Sequence, residues 1–286
     1  MNYLRHFGLR EAPFGITPDT TYFFACRAIQ EAFNTLHVAV GNGEGFIKIT
    51  GEVGTGKTLL CRKFLGTLDA TWISAYVPNP SFEPRTLYLA LGEELGILVS
   101  ATLDQHQLIK AITRALLDLA RQKKRVLLCI DESQAMSLET LEALRLLTNL
   151  ETEKRKLMQV VLFGQPELDR KLASPSIRQL LQRITFQHRM GGLLESEVGA
   201  YVAHRLSVAG FTGRTLLSAG ALRALHRASR GLPRVINVVM HKALLLAYGE
   251  GKWAVETRHV RLAAADTPAA EQPARAWWRL GLGRAG

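Results

Sequence analysis

Eight residues in the first quarter of the chain have the types and spacing of a phosphate-binding loop. Residues 51–58 read GEVGTGKT, a full match to the pattern G-x-x-x-x-G-K-[ST]. Glycines let backbone N–H groups surround phosphates, while Lys57 can reach the β- and γ-phosphates and the Thr58 hydroxyl can ligate Mg²⁺. The pattern predicts a nucleoside triphosphate site formed by Gly51, Glu52, Val53, Gly54, Thr55, Gly56, Lys57, Thr58 and Leu59.

Two adjacent acids further along could supply the chemistry of hydrolysis. Asp131 and Glu132 directly follow the continuous apolar run 126–130, which is typical of a parallel strand buried on both faces. Because ligands bind at the carboxyl ends of such strands, we expect Asp131 to hold Mg²⁺, directly or through water, and Glu132 to polarise the attacking water. A pair of capping carboxylates is the alternative interpretation.

Four further polar residues are candidates for sensing or stabilising phosphate charge. Gln165 follows the predicted strand 157–163 and could contact the γ-phosphate or orient the water, although a glutamine in a turn is the alternative. Arg183 and Arg178 lie in the helical pattern 176–183, and either could reach the nucleotide of a neighbouring subunit, or be a surface arginine. Arg234 follows Gly-Leu-Pro at the start of a later helix and could point back towards the nucleotide.

The periodicity of apolar residues predicts the elements that position these side chains. Strands at 46–50, 70–77, 126–130 and 157–163 alternate with helices, two of them preceded by the N-cap residues Asp104 and Ser137, which indicates a parallel three-layer α/β core. From residue 195 onward four helical patterns follow without strands, which indicates a small helical lid. We therefore predict an N-terminal lead-in segment that packs on the core at 1–45, the α/β core at 46–190, the lid at 191–266 and a flexible basic and aromatic tail at 267–286.

Composition and charge limit the other classes of function. Apolar residues make up 47% of the chain, but no run approaches eighteen residues and no secretory signal is evident, so we expect a cytoplasmic protein. Cys26, Cys61 and Cys129 are unpatterned, which favours free buried thiols. Residues 191–286 carry 13 basic and 6 acidic side chains, which permits nucleic acid or a membrane surface as partner, the latter also through RAWWRL at 275–280 in the tail.

Taken together, these motifs resemble those of AAA+ ATPases. The segments FGLREAPFGITPDTTYFF, GEVGTGKT, IDESQ, FGQPEL and GLPRVIN are similar to the ExeA/GspA branch, which contains ATPases of bacterial secretion and pilus assembly. The stretches KITGEVGTGKTLLCRKFL and LEALRLLTNLETEKRKLMQVVLFGQPELD are more similar still to ATPases of the MshM type, which act in biogenesis of the mannose-sensitive haemagglutinin (MSHA) pilus. The resemblance covers about residues 3–266.

The resemblance implies a role for each motif residue. Lys57 and Thr58 match Walker A, and Asp131 and Glu132 match Walker B. Gln165 occupies the sensor I position, where asparagine or threonine is commoner, and Arg234 occupies the sensor II position. Arg183 matches the arginine finger best, with Arg178 as second choice, so the resemblance implies an ATP·Mg²⁺-dependent homo-oligomer with shared active sites.

The same resemblance implies work on pilus or secretion machinery at the inner membrane. Secretion members of the branch also carry a membrane segment and a peptidoglycan-binding domain, and we do not expect cell-wall binding from these 286 residues. Two other classes of function remain open. One is a DNA-associated AAA+ regulator similar to transposition helper ATPases, favoured by the basic lid and opposed by the lack of a DNA-reading motif. The other is an ATP-gated scaffold with little turnover.

Overall fold

The structure, a computed structural model, describes residues 3–97, 103–148, 151, 152, 155–213 and 215–271. Contacts divide the chain into two compact units. Residues 17–192 form the first unit, and residues 1–16 together with those from 193 onward form the second.

The first unit is built on a five-stranded parallel sheet. The strands in chain order are β1 (Phe46–Gly51), β2 (Trp72–Val77), β3 (Arg125–Ile130), the short β4 (Glu151–Thr152) and β5 (Arg155–Lys156), β6 (Met158–Gly164) and β7 (Ile184–Met190). The sheet order is β2-β3-β6-β1-β7, while β4 and β5 form a separate antiparallel pair. Strands β1 and β6 are buried along their whole length, and at the edge of the sheet exposed and partly buried residues alternate along β7. Because the strands are parallel, β1, β3 and β6 end at the same edge of the sheet.

Helices cover both faces of this sheet, and they are the main elements of the described part of the second unit. In chain order the helices are α1 (Tyr3–His6), α2 (Arg27–Gly41), α3 (Lys57–Leu65), α4 (Pro84–Glu94), α5 (Gln105–Arg121), α6 (Leu138–Leu147), α7 (Glu167–Leu172), α8 (Arg178–Leu181), α9 (Glu195–Val208), α10 (Ala219–Ser229), α11 (Pro233–Gly249) and α12 (Thr257–Ala265).

The two faces of the sheet have different helical partners. Leu128 and Val160 belong to the apolar cluster that includes α4, α5 and α6. Their neighbours Leu127 and Val161 are also fully buried and point to the opposite face, where α2 and α3 contact β1, β6 and β7. The three-layer arrangement predicted from the sequence is therefore confirmed.

Local signals in the sequence account for where two of these helices begin. The Asp104 side chain accepts from the backbone N–H of Gln107 at 2.8 Å, and the Gln107 side chain accepts from the Asp104 N–H, which makes a capping box at α5. The Ser137 hydroxyl accepts from the Thr140 N–H at 3.1 Å and caps α6. Both predicted N-caps are confirmed.

The four lid helices predicted from the sequence appear in the second unit as α9 to α12. The chain enters α11 through Gly231, two residues before the helix begins. Gly231 has a φ of 73°, and its carbonyl oxygen accepts from the Leu193 N–H at 2.8 Å. A Cβ atom there would lie 2.1 Å from the Leu193 carbonyl oxygen, so only glycine fits. The preceding segment and the start of α11 are thereby held together.

The first sixteen residues group with the helical unit, not with the core on which the 1–45 segment was expected to pack. The Arg205 side chain of α9 is 8% exposed and donates to the carbonyl oxygens of Pro13 at 2.6 Å and Gly15 at 3.2 Å. Asn237 of α11 also donates to Gly15, at 3.2 Å. Because a buried guanidinium needs acceptors, these carbonyls hold the N-terminal segment on the lid helices.

The first residues of the predicted tail, 267–271, are bonded to the helices that precede them. Thr267 is 3% exposed and donates to the Ala263 carbonyl oxygen at 2.7 Å, while the Glu271 N–H donates to the Ala228 carbonyl oxygen at 2.8 Å. These bonds tie residues 267–271 to α12 and α10, so they belong to the helical unit. The basic and aromatic stretch 275–280 lies outside the described residues. No helix among the residues described has the length and apolarity that a membrane span needs.

Candidate functional site

The predicted phosphate loop connects β1 to α3 in a backbone conformation that needs its glycines. Gly54 and Gly56 have φ of 83° and 96°, values that other L-residues rarely adopt. At Gly51 a Cβ atom would lie 2.8 Å from the Thr55 hydroxyl oxygen, which itself donates to the Glu52 carbonyl oxygen at 2.9 Å. The loop is thus a tight turn that opens at the N-terminus of α3, where backbone N–H groups favour an anion.

The lysine of this loop is folded into it. Lys57 is 5% exposed, and its Nζ donates to the carbonyl oxygens of Gly51 at 2.8 Å and Glu52 at 3.1 Å. Burial lowers the pKa of Lys57, and the nearby carboxylates of Glu132 and Asp131 act in the opposite direction. An ammonium group held this way lies where phosphate oxygens would enter the loop.

Thr58 and Asp131 meet across the gap between α3 and the end of β3. The Thr58 hydroxyl donates to Asp131 Oδ2 at 2.5 Å, and the Glu132 N–H donates to Oδ1 at 2.9 Å. Asp131 is 2% exposed; burial raises its pKa, and the bond from Thr58 opposes that rise. Tyr76, at the end of β2, also points its hydroxyl at Oδ2 from 3.4 Å, and burial together with Asp131 raises the pKa of Tyr76 to about 12.

This donor set fits Mg²⁺. The ion prefers hard oxygen ligands and takes only one or two from protein, with the others from phosphates and water. A hydroxyl and a carboxylate, Thr58 and Asp131, converge here, and within the described part of the chain no group of three or more His, Cys, Asp or Glu residues offers an all-protein site.

Glu132 and Gln165, which follow β3 and β6, come together at the edge of the sheet. The Gln165 side chain, which follows β6, donates to Glu132 Oε2 at 3.2 Å. Glu132 has φ 51° and ψ 36°, a left-handed conformation that costs a non-glycine residue about 1–2 kcal/mol. Strain of this kind persists where surrounding contacts fix the residue, and it is common at functional sites.

Sequence reasoning missed two residues of this cluster, Gln134 and Tyr76. The Gln134 side chain donates to Glu132 Oε2 at 2.5 Å and accepts from the Gln165 N–H at 3.0 Å. Gln134 is the last residue of the IDESQ segment. A single sequence does not show that its partner is Gln165, 31 positions away. Tyr76 could have been found as the polar residue near the end of a strand beside β3.

No contact described above joins the candidate arginines Arg178, Arg183 and Arg234 to the phosphate loop. Arg178 is exposed, and the predicted helix 176–183 is only the single turn of α8, because a 3₁₀ helix at Pro175–Ile177 precedes it. Arg183 is half-buried, and its charge helps lower the pKa of Glu142, after the larger effect of the Arg145 hydrogen bond. Arg234 is exposed on α11 in the other unit. Their roles stay predictions, as do the contacts of the loop residues with nucleotide and of Thr58 and Asp131 with Mg²⁺.

Comparison with known proteins identifies relatives of this chain. Residues 40–172 match the AAA domain family. The chain is 39% identical to General secretion pathway protein A from Aeromonas hydrophila over 280 residues, which are 98% of this chain and 51% of that protein. It thus spans about half the length of this curated relative.

Solved structures with the same fold come from distant proteins. The ORC2 protein of Aeropyrum pernix, solved as ADPNP–ADP complexes, has a TM-score of 0.64 at 16% identity and covers 89% of this chain and 73% of that one. Cdc6p of Pyrobaculum aerophilum has a TM-score of 0.67 at 16% identity over 87% of this chain and 70% of that one. The Thermotoga maritima RuvB branch migration motor has a TM-score of 0.54 at 14% identity over 83% and 68%. At these identities the likeness concerns the fold alone, and it agrees with the predicted α/β core with a parallel sheet.

Proposed function

We propose, from the premise that this chain contains an AAA domain and is related to General secretion pathway protein A, that it hydrolyses ATP with Mg²⁺ at the carboxyl edge of its sheet. One observation carries the proposal. Lys57 and Thr58 lie in α3, while Asp131, Glu132 and Gln165 follow two different strands. These five residues nevertheless form one connected set of hydrogen-bonded and electrostatically coupled groups.

Each side chain has a task in this site. The Lys57 ammonium exchanges its two carbonyl acceptors for β- and γ-phosphate oxygens. Thr58 and Asp131 hold Mg²⁺, which when bound supplies positive charge to the phosphate oxygens. Glu132 accepts a hydrogen bond from the attacking water and orients it, and the Gln165 amide donates to Glu132 within reach of the γ-phosphate.

The site is completed by a second copy of the chain. Arg183 of one subunit reaches the γ-phosphate held by its neighbour and stabilises the charge that develops there. For Arg234, in the helical unit, the motif text supports the sensor II role. The active assembly is therefore a homo-oligomer, and turnover per subunit rises with protein concentration.

A mixing experiment tests this shared site. Arg183→Ala and Glu132→Gln each bind ATP and hydrolyse little alone, but a mixture recovers phosphate release, since some interfaces then join an intact Glu132 to an intact Arg183. Arg178→Ala, the matched arginine variant, keeps turnover. Loss of ATP binding in Arg183→Ala, or no recovery on mixing, contradicts the finger assignment. Wild-type protein that binds ATP and releases no phosphate at any concentration points instead to the ATP-gated scaffold.

The process served by this ATPase is proposed from relatedness. Relatedness to General secretion pathway protein A supports a role in secretion or a similar process. The sequence motifs favour biogenesis of an MSHA-type pilus at the cytoplasmic face of the inner membrane. Deletion of the chain in its host, complemented by wild type or by Lys57→Ala, tests it. Surface pili or type II secretion must fail in the deletion strain and return only with wild type.

A DNA-associated role is a second candidate because of one surface. Helix α10 carries Arg223 and Arg227, both exposed and one turn apart, and contains no acidic residue. Duplex DNA binding that weakens steeply with salt, and that an Arg223→Ala/Arg227→Ala variant loses, would favour this role. Retention of binding in that variant, or no binding at low salt, would exclude this surface as the DNA contact.

A further inference from the structure

The turn after β3 places a second amide on the glutamate that is proposed to act on water. We propose that Gln134 is a positioning residue for Glu132: it fixes which carboxylate oxygen faces the attacking water. The inference rests on the proposed hydrolysis of ATP and goes beyond it, since none of the sequence motifs assigns Gln134 a role.

The orientation of the Gln134 amide is determined by its two partners. Its Oε1 accepts from the backbone N–H of Gln165 at 3.0 Å, and a backbone N–H can only donate. The other end of the amide must therefore be the NH₂ group, which donates to Glu132 Oε2 at 2.5 Å. A flipped amide would place NH₂ against N–H and oxygen against carboxylate, so the arrangement has one stable form.

Both amide donors act on the same oxygen of Glu132. Gln134 Nε2 and Gln165 Nε2 both bond to Oε2, and no hydrogen bond within the described ranges reaches Oε1. Oε2 is thus anchored, while Oε1 is left as the oxygen that can accept from water. Without Gln134, the carboxylate would keep only the longer bond from Gln165 and could rotate.

The backbone that carries Gln134 is itself held in place. Residues Ser133–Ala135 form a 3₁₀ turn, and Ser133, fully buried, donates to the Ile130 carbonyl oxygen at 2.9 Å. Lys171 of α7 donates its ammonium protons to the carbonyl oxygens of Gln134 and, at 2.6 Å, Met136. Since α7 begins two residues after Gln165, these bonds fix the distance between the two amides that hold Glu132.

The closing experiment compares Gln134→Ala with wild type in steady-state phosphate release and in binding of a fluorescent ATP analogue. We expect kcat to fall about 10- to 100-fold, as for a misplaced catalytic group, while KM and the analogue's affinity stay within twofold. Gln134→Glu, which keeps the size and loses the donor, should fall at least as far. The control is Gln122→Ala, an exposed glutamine at the end of α5, which should match wild type.

A double-mutant cycle separates positioning from structure. In the Glu132→Gln background, measured by single turnover, Gln134→Ala should have no further effect, because its target is gone. An equal fold-loss in both backgrounds, a parallel loss of nucleotide affinity, or wild-type kcat in Gln134→Ala and Gln134→Glu overturns the inference. These outcomes are distinct from failure of the proposed function, in which wild type itself releases no phosphate.

Discussion

Replacing Thr58 by valine removes one oxygen and leaves the shape of the side chain unchanged, so it isolates what the Thr58–Asp131 contact contributes. Asp131 is 2% exposed, and its Oδ2 receives the Thr58 hydroxyl at 2.5 Å but Tyr76 only at 3.4 Å. In Thr58→Val this oxygen keeps only the long contact. Because a hydrogen bond to a charged group contributes about 1.5–3 kcal/mol, we expect a loss of about that size in the free energy of unfolding without nucleotide.

The same substitution should also remove the effect of Mg²⁺ on nucleotide affinity. Valine offers no ligand, whereas Thr58→Ser keeps the hydroxyl and should restore both properties. For a unit of this size the stability loss corresponds to a fall of about 3–12 °C in unfolding temperature. Differential scanning calorimetry, and titration with a fluorescent ATP analogue with and without Mg²⁺, measure the two effects.

Two controls make the result decisive. Thr86→Val, on the exposed side of α4, applies the same chemical change where the hydroxyl has no hydrogen bond to a carboxylate among the described residues, and it should unfold like wild type. In an Asp131→Asn background the cost of Thr58→Val should shrink to about 1 kcal/mol, the contribution of a neutral hydrogen bond. A Thr58→Val protein that unfolds at the wild-type temperature and still responds to Mg²⁺ would refute the reasoning.

Substitutions at three other sites, a carboxylate, an ion pair and a glycine, test the same structure. Glu132→Gln should keep ATP bound while phosphate release falls about 10²- to 10⁴-fold, the usual contribution of a general base; wild-type turnover would disprove that role. Asp169→Ala should destabilise the protein more than Lys48→Met in urea unfolding, because Lys48 is 6% exposed and its ammonium would stay buried without the Asp169 carboxylate; the reverse order would contradict this. Gly231→Ala should lower the free energy of unfolding by about 2–5 kcal/mol, because of backbone strain and the close Leu193 carbonyl. Gly41→Ala, with open space around it, should raise it by about 0.4–1 kcal/mol. Thermal unfolding measures both, and equal effects would show that neither environment matters.

The elements that carry the site could be predicted because their signals are local. Strand β3 reads as a continuous apolar run from Val126, and β6 is apolar apart from Gln159, since both faces of the sheet are covered. The predicted caps Asp104 and Ser137 need only residues three positions away. Asp131 and Gln165 follow these strands directly. They lie at the same edge of the sheet because the strands are parallel. The helices that the sequence places between the strands imply this parallel pairing.

What the sequence could not predict depends on contacts between distant residues. Gln134 meets Gln165 because β3 and β6 are paired in one particular register, with Ile130 beside Leu162, and nothing near Gln134 specifies that register. The N-terminal segment packs on α9 because Arg205, 190 positions away from Gly15, is buried and requires carbonyl acceptors. Neither partner is visible in a window of local sequence.

At the carboxyl edge of the sheet, burial disfavours the charged forms of two side chains, Lys57 and Asp131. Burial lowers the pKa of Lys57 and raises that of Asp131, so in each case the environment disfavours the charged form. The two groups do not relieve each other by direct contact, since the Lys57 ammonium donates to carbonyl oxygens and Asp131 accepts from Thr58. A bound phosphate chain with its cation would supply the missing charge to both at once, anion to the lysine and cation to the aspartate. We therefore expect nucleotide with Mg²⁺ to raise the free energy of unfolding of this unit.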